Sequence, residues 1–208
     1  MYIPLHFRLD DLPDLHAAMR AARLPNLVTL SAEGRLMATP LPLMLVPDEG
    51  PQGTLYGHLA RANPQWRDSQ AGEAMVLFGG PEAYVSPSWY PSKQAHGKVV
   101  PTWNYVAVHA YGVPEFFDDA DRLRALVGQL TDRHEAERAH PWAVDDAPAE
   151  FIAAQLRAII GLRLPISRLE GKRKASQNRA AEDRAGVAEG LAVSPRPGDR
   201  DMASLIAR

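Results

Sequence analysis

The order in which hydrophobic periodicities follow one another restricts this fold more than any other feature of the sequence. A helix-spaced segment comes first, then several strand-like segments, then two helix-spaced segments, then one more strand. A parallel, doubly wound sheet needs strands and helices in alternation, and this order lacks it. An antiparallel barrel or curled sheet decorated by helices fits. The first helix follows Asp10 or Asp11 as cap, with Pro13 in its first turn and Leu15, Ala18, Met19 and Ala22 at helical spacing. Pro25-Asn26 ends it. Strands are predicted at Leu27–Ser31 and Arg35–Val46 around the turn Ala32-Glu33-Gly34, and at Thr54–Leu59. More follow at Ala74–Phe78, at Glu82–Val85 beyond the breaker Gly79-Gly80-Pro81, and at Val106–Tyr111. Helices are predicted over Asp118–Arg138 and Pro148–Ile160, then a last strand over Leu162–Leu169. Pro, Arg, Gly and Asp crowd Ser194–Asp201. The reading is one domain over residues 1–192, with helices at about 118–160, and a flexible tail over 193–208.

Composition narrows the function classes. The 208 residues contain no cysteine, so disulfides, thiolate metal sites and a cysteine nucleophile are all excluded. No apolar run reaches the roughly 18–20 residues of a membrane span, and no signal peptide is visible; a cytoplasmic protein is expected. The formal net charge is −2, without the basic excess of a dedicated nucleic-acid binder. Dinucleotide, P-loop, nucleophile-elbow and zinc-protease motifs are absent. His134 and His140 lie six apart, off a common helical face, and no metal site is expected.

Eleven of the fifteen aromatic residues fall between Tyr56 and Phe117, interleaved with His58, Arg61, Asn63, Ser88, Thr102 and Asn104. Aromatic planes among convergent polar groups describe a pocket for a flat ligand with polar edges; a barrel core with polar loops is the structural alternative. Four separated segments carry a sharper signal. They are Gly57–Trp66 (GHLARANPQW), Gly80–Tyr90 (GPEAYVSPSWY), Val100–Tyr105 (VPTWNY) and Lys172–Arg179 (KRKASQNR), after the opening Met1-Tyr2-Ile3-Pro4. From residue 1 to about 190 they resemble the PaiB family of FMN-binding negative transcriptional regulators. Arg173 departs from the aromatic or apolar residue that this family tends to place between the two lysines.

The resemblance implies a mainly β, α+β fold, an FMN-binding split β-barrel that is antiparallel and Greek-key-like, usually a homodimer with flavin near the subunit interface. It also implies FMN as cofactor and, by family alone, DNA as a partner. The residues suggest roles for each candidate. Arg61 and Asn63, with His58, stand beside a potential helix start at Asn63-Pro64 and suit a phosphate, with a surface salt bridge the alternative for Arg61. Trp89 and Trp103 offer surfaces for the ring system or serve the core. Thr102, between Pro101 and Trp103, has a hydroxyl free for polar edges; Thr39 is a weaker candidate of the same type. Ser88 lies in the second motif. Lys174 and Gln177 follow the last predicted strand and could close the site. Lys172, Arg173, Lys174 and Arg179 form the one local basic cluster that suggests DNA. The rival readings are a small FMN-dependent oxidoreductase acting on an unidentified metabolite, and a binding module holding another ligand; in the former, the flavin itself would carry the hydride chemistry.

Overall fold

The computed structural model describes residues 1–69 and 72–207. In chain order the elements are β1 (Arg8–Leu9), α1 (Leu12–Ala21), β2 (Asn26–Leu30), β3 (Leu36–Pro40), β4 (Met44–Val46), β5 (Thr54–Ala60) and α2 (Gln65–Asp68). Then come β6 (Ala74–Val85), α3 (Ser92–His96), β7 (Thr102–Gly112), β8 (Glu115–Phe117), α4 (Ala120–Glu135) and α5 (Ala149–Arg157). Last are β9 (Ile159–Pro165), β10 (Arg168–Lys174), α6 (Ala181–Ala192) and α7 (Pro197–Ile206). The class is α+β, and every strand pair whose register is resolved is antiparallel. The contacts divide the expected single domain into two units: Met1–Ala22, Phe78–His109 and Glu170–Arg208 in the first, Arg23–Leu77 and Ala110–Leu169 in the second.

In the first unit, β1 pairs with β10 through Arg8↔Lys172 and Leu9↔Gly171, and β7 lies between β10 and β6. Helix α1 starts where the Asp11 side chain accepts the Asp14 N–H at 3.2 Å, with Pro13 in its first turn. It buries Leu15, His16 and Met19. A Cβ on Gly171 would lie 2.3 Å from Leu15 Cδ2, so only glycine lets the helix approach the strand this closely. The other helices bury Val187, Leu191, Met202, Ala203 and Ile206 against Ala83, Val85, Val106 and Ala175. Strand alternation then gives this sheet two unlike faces. Ala83, Val85, Val106, Val108 and Ala175 are buried on one. Tyr84, Trp103 and Tyr105 stand at the intervening positions, half-buried or exposed.

In the second unit, β2 and β3 form the expected hairpin, Asn26↔Pro40 through Leu30↔Leu36, closed by Gly34 at φ 76°. A second sheet runs β4-β5-β9-β8 and buries Leu55, Leu59, Ile160, Leu162 and Leu164. Helix α4, capped by Asp119 on the Arg122 N–H at 2.8 Å, adds Leu123, Leu126 and Leu130, and α5 adds Ile152. Arg163 ties this sheet laterally: its guanidinium donates to Glu49 at 2.6 Å and to both oxygens of Glu115 at 2.8 and 2.9 Å.

Four expectations are corrected. Residues 79–81 do not break the strand: β6 runs through them, with Gly80 pressed so close to Val106 that a Cβ would lie 2.8 Å from its Cβ. The strand expected over 35–46 is two, because Pro40 and Pro42 cannot both donate to a ladder. Lys174 ends strand β10 rather than following the last strand. Most of the segment 193–207 is helix α7, started by Pro197 and buried through Met202, Ala203 and Ile206; three apolar residues at i, i+1 and i+4 suffice to dock it. Arg208 lies outside the described residues.

Candidate functional site

The candidates fall into separate groups. In the second unit, Arg61 follows β5. Its Nε donates to the Arg157 carbonyl at 2.7 Å, one terminal nitrogen pairs with Asp118 at 3.5 Å, and its own carbonyl accepts from the Trp66 indole at 3.0 Å. That is the salt-bridge alternative. Asn63 is also engaged: its Oδ1 accepts the Gln65 N–H at 2.9 Å and its Nδ2 donates to Thr39 Oγ1 at 3.0 Å. Thr39 in turn donates to Gln65 Oε1. Gln65, 1% exposed, completes a buried network by donating to Thr29 Oγ1 at 3.0 Å and to the Leu27 carbonyl at 3.2 Å. Helix α2 is four residues long, and Asn63 itself takes the N–H of its first residue. His58 is half-buried on β5; its Nδ1 has no hydrogen-bond partner, and burial holds its pKa below the ordinary histidine value.

In the first unit, Thr102, Trp103, Lys174 and Gln177 come together. The Lys174 ammonium donates to the Thr102 hydroxyl and, at 2.6 Å, to the Trp103 carbonyl. Gln177 folds back on the same segment, accepting the Ala175 N–H at 2.7 Å and donating to the Arg173 carbonyl. Ser88 and Trp89 are not with them. Ser88 is exposed, 3.5 Å from Lys93 Nζ. The Trp89 indole fills the space left by Gly190 of α6, where a Cβ would lie 2.5 Å from its ring, and Gly186 makes room for the Trp89 backbone carbonyl. Trp89 thus packs with the helices.

Three residues beside this group, Lys172, Tyr84 and Tyr105, are not assigned to the flavin pocket from sequence, which places Lys172 in the basic cluster that suggests DNA. Lys172 is 7% exposed; its ammonium donates to the Tyr2 carbonyl at 3.2 Å and lies 5.1 Å from the centre of the Tyr105 ring. Tyr84 meets Trp103 edge to face at 6.0 Å. The signal that could have found them is period-two alternation, which puts residues 172 and 174 on one face of their strand and 103 and 105 on one face of theirs. Asn104, fully buried, donates to Ser176 Oγ at 2.9 Å. That contact anchors Ser176, the one non-glycine residue at positive φ (60°) among the described residues.

The electrostatics of this face are one-sided. Burial first, and then the nearby charges of Lys172 and Arg179, push the Lys174 pKa below the ordinary lysine value. Among the described residues no carboxylate pairs with Lys172, Lys174 or Arg179. Two half-shielded ammonium groups beside aromatic planes suit an anion tethered to a flat ring system. No group of metal-ligating side chains occurs among the described residues, and no helix among them is long and apolar enough to cross a membrane.

Comparison with known proteins decides the family. The family model described as "Putative FMN-binding domain" matches residues 1–168. The chain belongs to this FMN-binding domain family. "Protease synthase and sporulation protein PAI 2" of Bacillus subtilis is 32% identical over 207 residues, 99% of this chain and 96% of that protein. An uncharacterized protein of Aspergillus fumigatus is 41% identical over 172 residues, 67% of this chain and 66% of its own length. Among solved structures, the FAD and heme binding protein from Mycobacterium smegmatis superposes with a TM-score of 0.61 at 20% identity, over 86% of this chain and 78% of that one. That likeness establishes a shared fold. The architecture is split-barrel-like and mainly β with helices, and its sheets are open rather than closed.

Proposed function

We propose that this chain is an FMN-binding protein whose flavin contacts include the Thr102–Lys174 face, and that it acts as a negative transcriptional regulator of the PaiB type. The observation that carries the flavin reading is the carboxylate-free pair of a buried Lys172 and a half-buried Lys174 beside Tyr84, Trp103 and Tyr105. Lys174, Lys172 and the Thr102 hydroxyl would hold the phosphate and the neighbouring polar chain. Trp103 and Tyr105 would present surfaces to the ring system. Bound flavin supplies hydride or electron transfer; the protein's share is to orient it and to keep a positive charge at its phosphate. FMN is chosen over other flavins because the family model is an FMN-binding one.

The regulatory role rests on the full-length relationship to the Bacillus protein and on the resemblance of the four motifs. A homodimer in the cytoplasm is part of this proposal. The exposed Tyr84 and Trp103, 45% and 51%, support a partner surface. DNA contact would have to come from Arg179, the lysines or other arginines, because Arg173 is held by Asp14 at 2.9 Å.

Titration of the apo-protein with FMN and with riboflavin tests the site. Lys174→Ala should weaken FMN by about ten- to hundredfold, the usual range for loss of a charge-assisted contact, and leave riboflavin nearly unchanged. Equal loss of both ligands, or of neither, would remove Lys174 from the phosphate. Raising the pH should weaken FMN earlier than an ordinary lysine would allow, since the ammonium deprotonates below its usual value. Nicotinamide-dependent bleaching of the bound flavin would instead favour the oxidoreductase reading.

A further inference from the structure

The opposite side of the first unit holds a cavity of about 400 Å³ that uses none of the residues proposed for flavin. Three alanines of α1, Ala18 among them, leave one wall short; Val106 and Leu205 add apolar surface. Small side chains on the helix facing a strand create this space, which falls within the usual size range of small-ligand sites. Taking about 30 Å³ per non-hydrogen atom, as for liquid water, it holds on the order of ten such atoms.

Its polar groups are Asp14, Arg173, Asp201 and Ser204. Arg173 and Asp14 neutralise each other at 2.9 Å. Asp201 has no cationic partner among the described residues. One uncompensated carboxylate therefore stands over an apolar floor. Strand alternation explains why the two sites are independent: Arg173 points to the α1 side of β10, and its neighbours Lys172 and Lys174 point to the other. Arg173 thus supplies part of this wall.

We propose that the cavity is a second small-molecule site, taking an ammonium group carried on an apolar body. The apolar part would fill the space beside Ala18, Val106 and Leu205. The ammonium would sit at Asp201, with the Asp14–Arg173 pair closing the rim. A neutral ligand of the same shape would gain nothing from the carboxylate, and an anion would be repelled by it.

Isothermal titration of the full-length protein with three probes of one shape tests this: 2-phenylethylamine, 2-phenylethanol and 3-phenylpropionate. The amine should bind saturably, at least about tenfold tighter than the alcohol, the effect of one charge-assisted contact. The carboxylate should not bind. Ala18→Leu should abolish amine binding by filling the cavity. Asp201→Asn, at an exposed position, should fold normally and bring amine and alcohol to equal affinity. No saturable amine binding overturns the proposal. So does amine binding unchanged in a folded Ala18→Leu, or a carboxylate that binds as well as the amine. Lys174→Ala should leave the amine titration unaltered, so failure of the flavin site would be read separately.

Discussion

At the scale of single residues, structure and sequence part company where a side chain has two chemically equal uses. Arg61 had the right type and setting for a phosphate, yet its donors go to the Arg157 carbonyl and Asp118. Arg61→Ala should therefore lower the melting temperature and leave the ratio of FMN to riboflavin affinity unchanged. The stability loss should be about 1 kcal/mol once solvent screening is allowed for. Parallel FMN and riboflavin titrations check it; loss of FMN alone would return Arg61 to the phosphate. His58 gives a pH prediction. Burial lowers its folded pKa, so the unfolded chain binds the proton more readily, and stability must fall as pH drops below about 6.5, the ordinary value. His58→Gln should flatten part of that slope in urea unfolding between pH 7.5 and 5. A remainder will persist because His109, depressed first by burial and then by the N-terminal ammonium, titrates in the same direction. Lys174 was legible as a candidate because lysine is scarce here. Lys172 was assigned to the basic cluster that suggests DNA, since a basic run gives no hint of which members are buried.

At the scale of elements, hairpins, caps and amphipathic helices were legible because their signals are local. Asp11 and Pro13 start α1, Gly34 turns β2 into β3, and Leu123, Leu126 and Leu130 bury α4 as their spacing demands. What could not be read is how a distant partner changes the meaning of a residue. Gly79-Gly80-Pro81 punctuates a sequence but here lets β6 pass close to Val106. Two glycines in α6 lower its helix propensity, yet they make the socket for Trp89. Gly190→Ala should push into the indole and destabilise the protein by about 1–3 kcal/mol, measurable by denaturant unfolding. Helix α7 is the clearest case, since its polar composition hides three core residues. Truncation after Ala192 should cost about 3–6 kcal/mol, from exposing Met202 and Ile206 and the surfaces they cover. An unchanged melting temperature would show that the helix does not dock.

At the scale of the whole molecule, the α+β class followed from element order, and family membership followed from four motifs spread over most of the chain. The division into two units could not be read, because each is assembled from segments far apart in sequence. The proposed dimer gives the test at this scale. Sedimentation at micromolar concentration should give twice the 22.8 kDa chain mass. Trp103→Glu should shift the population toward monomer if the exposed Tyr84–Trp103 pair is covered by a partner. A monomer throughout would remove the dimer. Sequence-selective DNA binding with a steep salt dependence would support the regulator, and its absence would leave the flavin reading intact.

The discontinuity of the first unit sets an order of events during synthesis. Its first segment is made before its second, and the third, which carries Lys172, Lys174 and both closing helices, is made after both. A nascent chain stalled before residue 170 has Thr102 and Trp103 but neither lysine, and β1 has no strand to pair with. If the proposed flavin site is this face, FMN loading must wait for the third segment, and chains cut short before residue 170 should fail to retain flavin there.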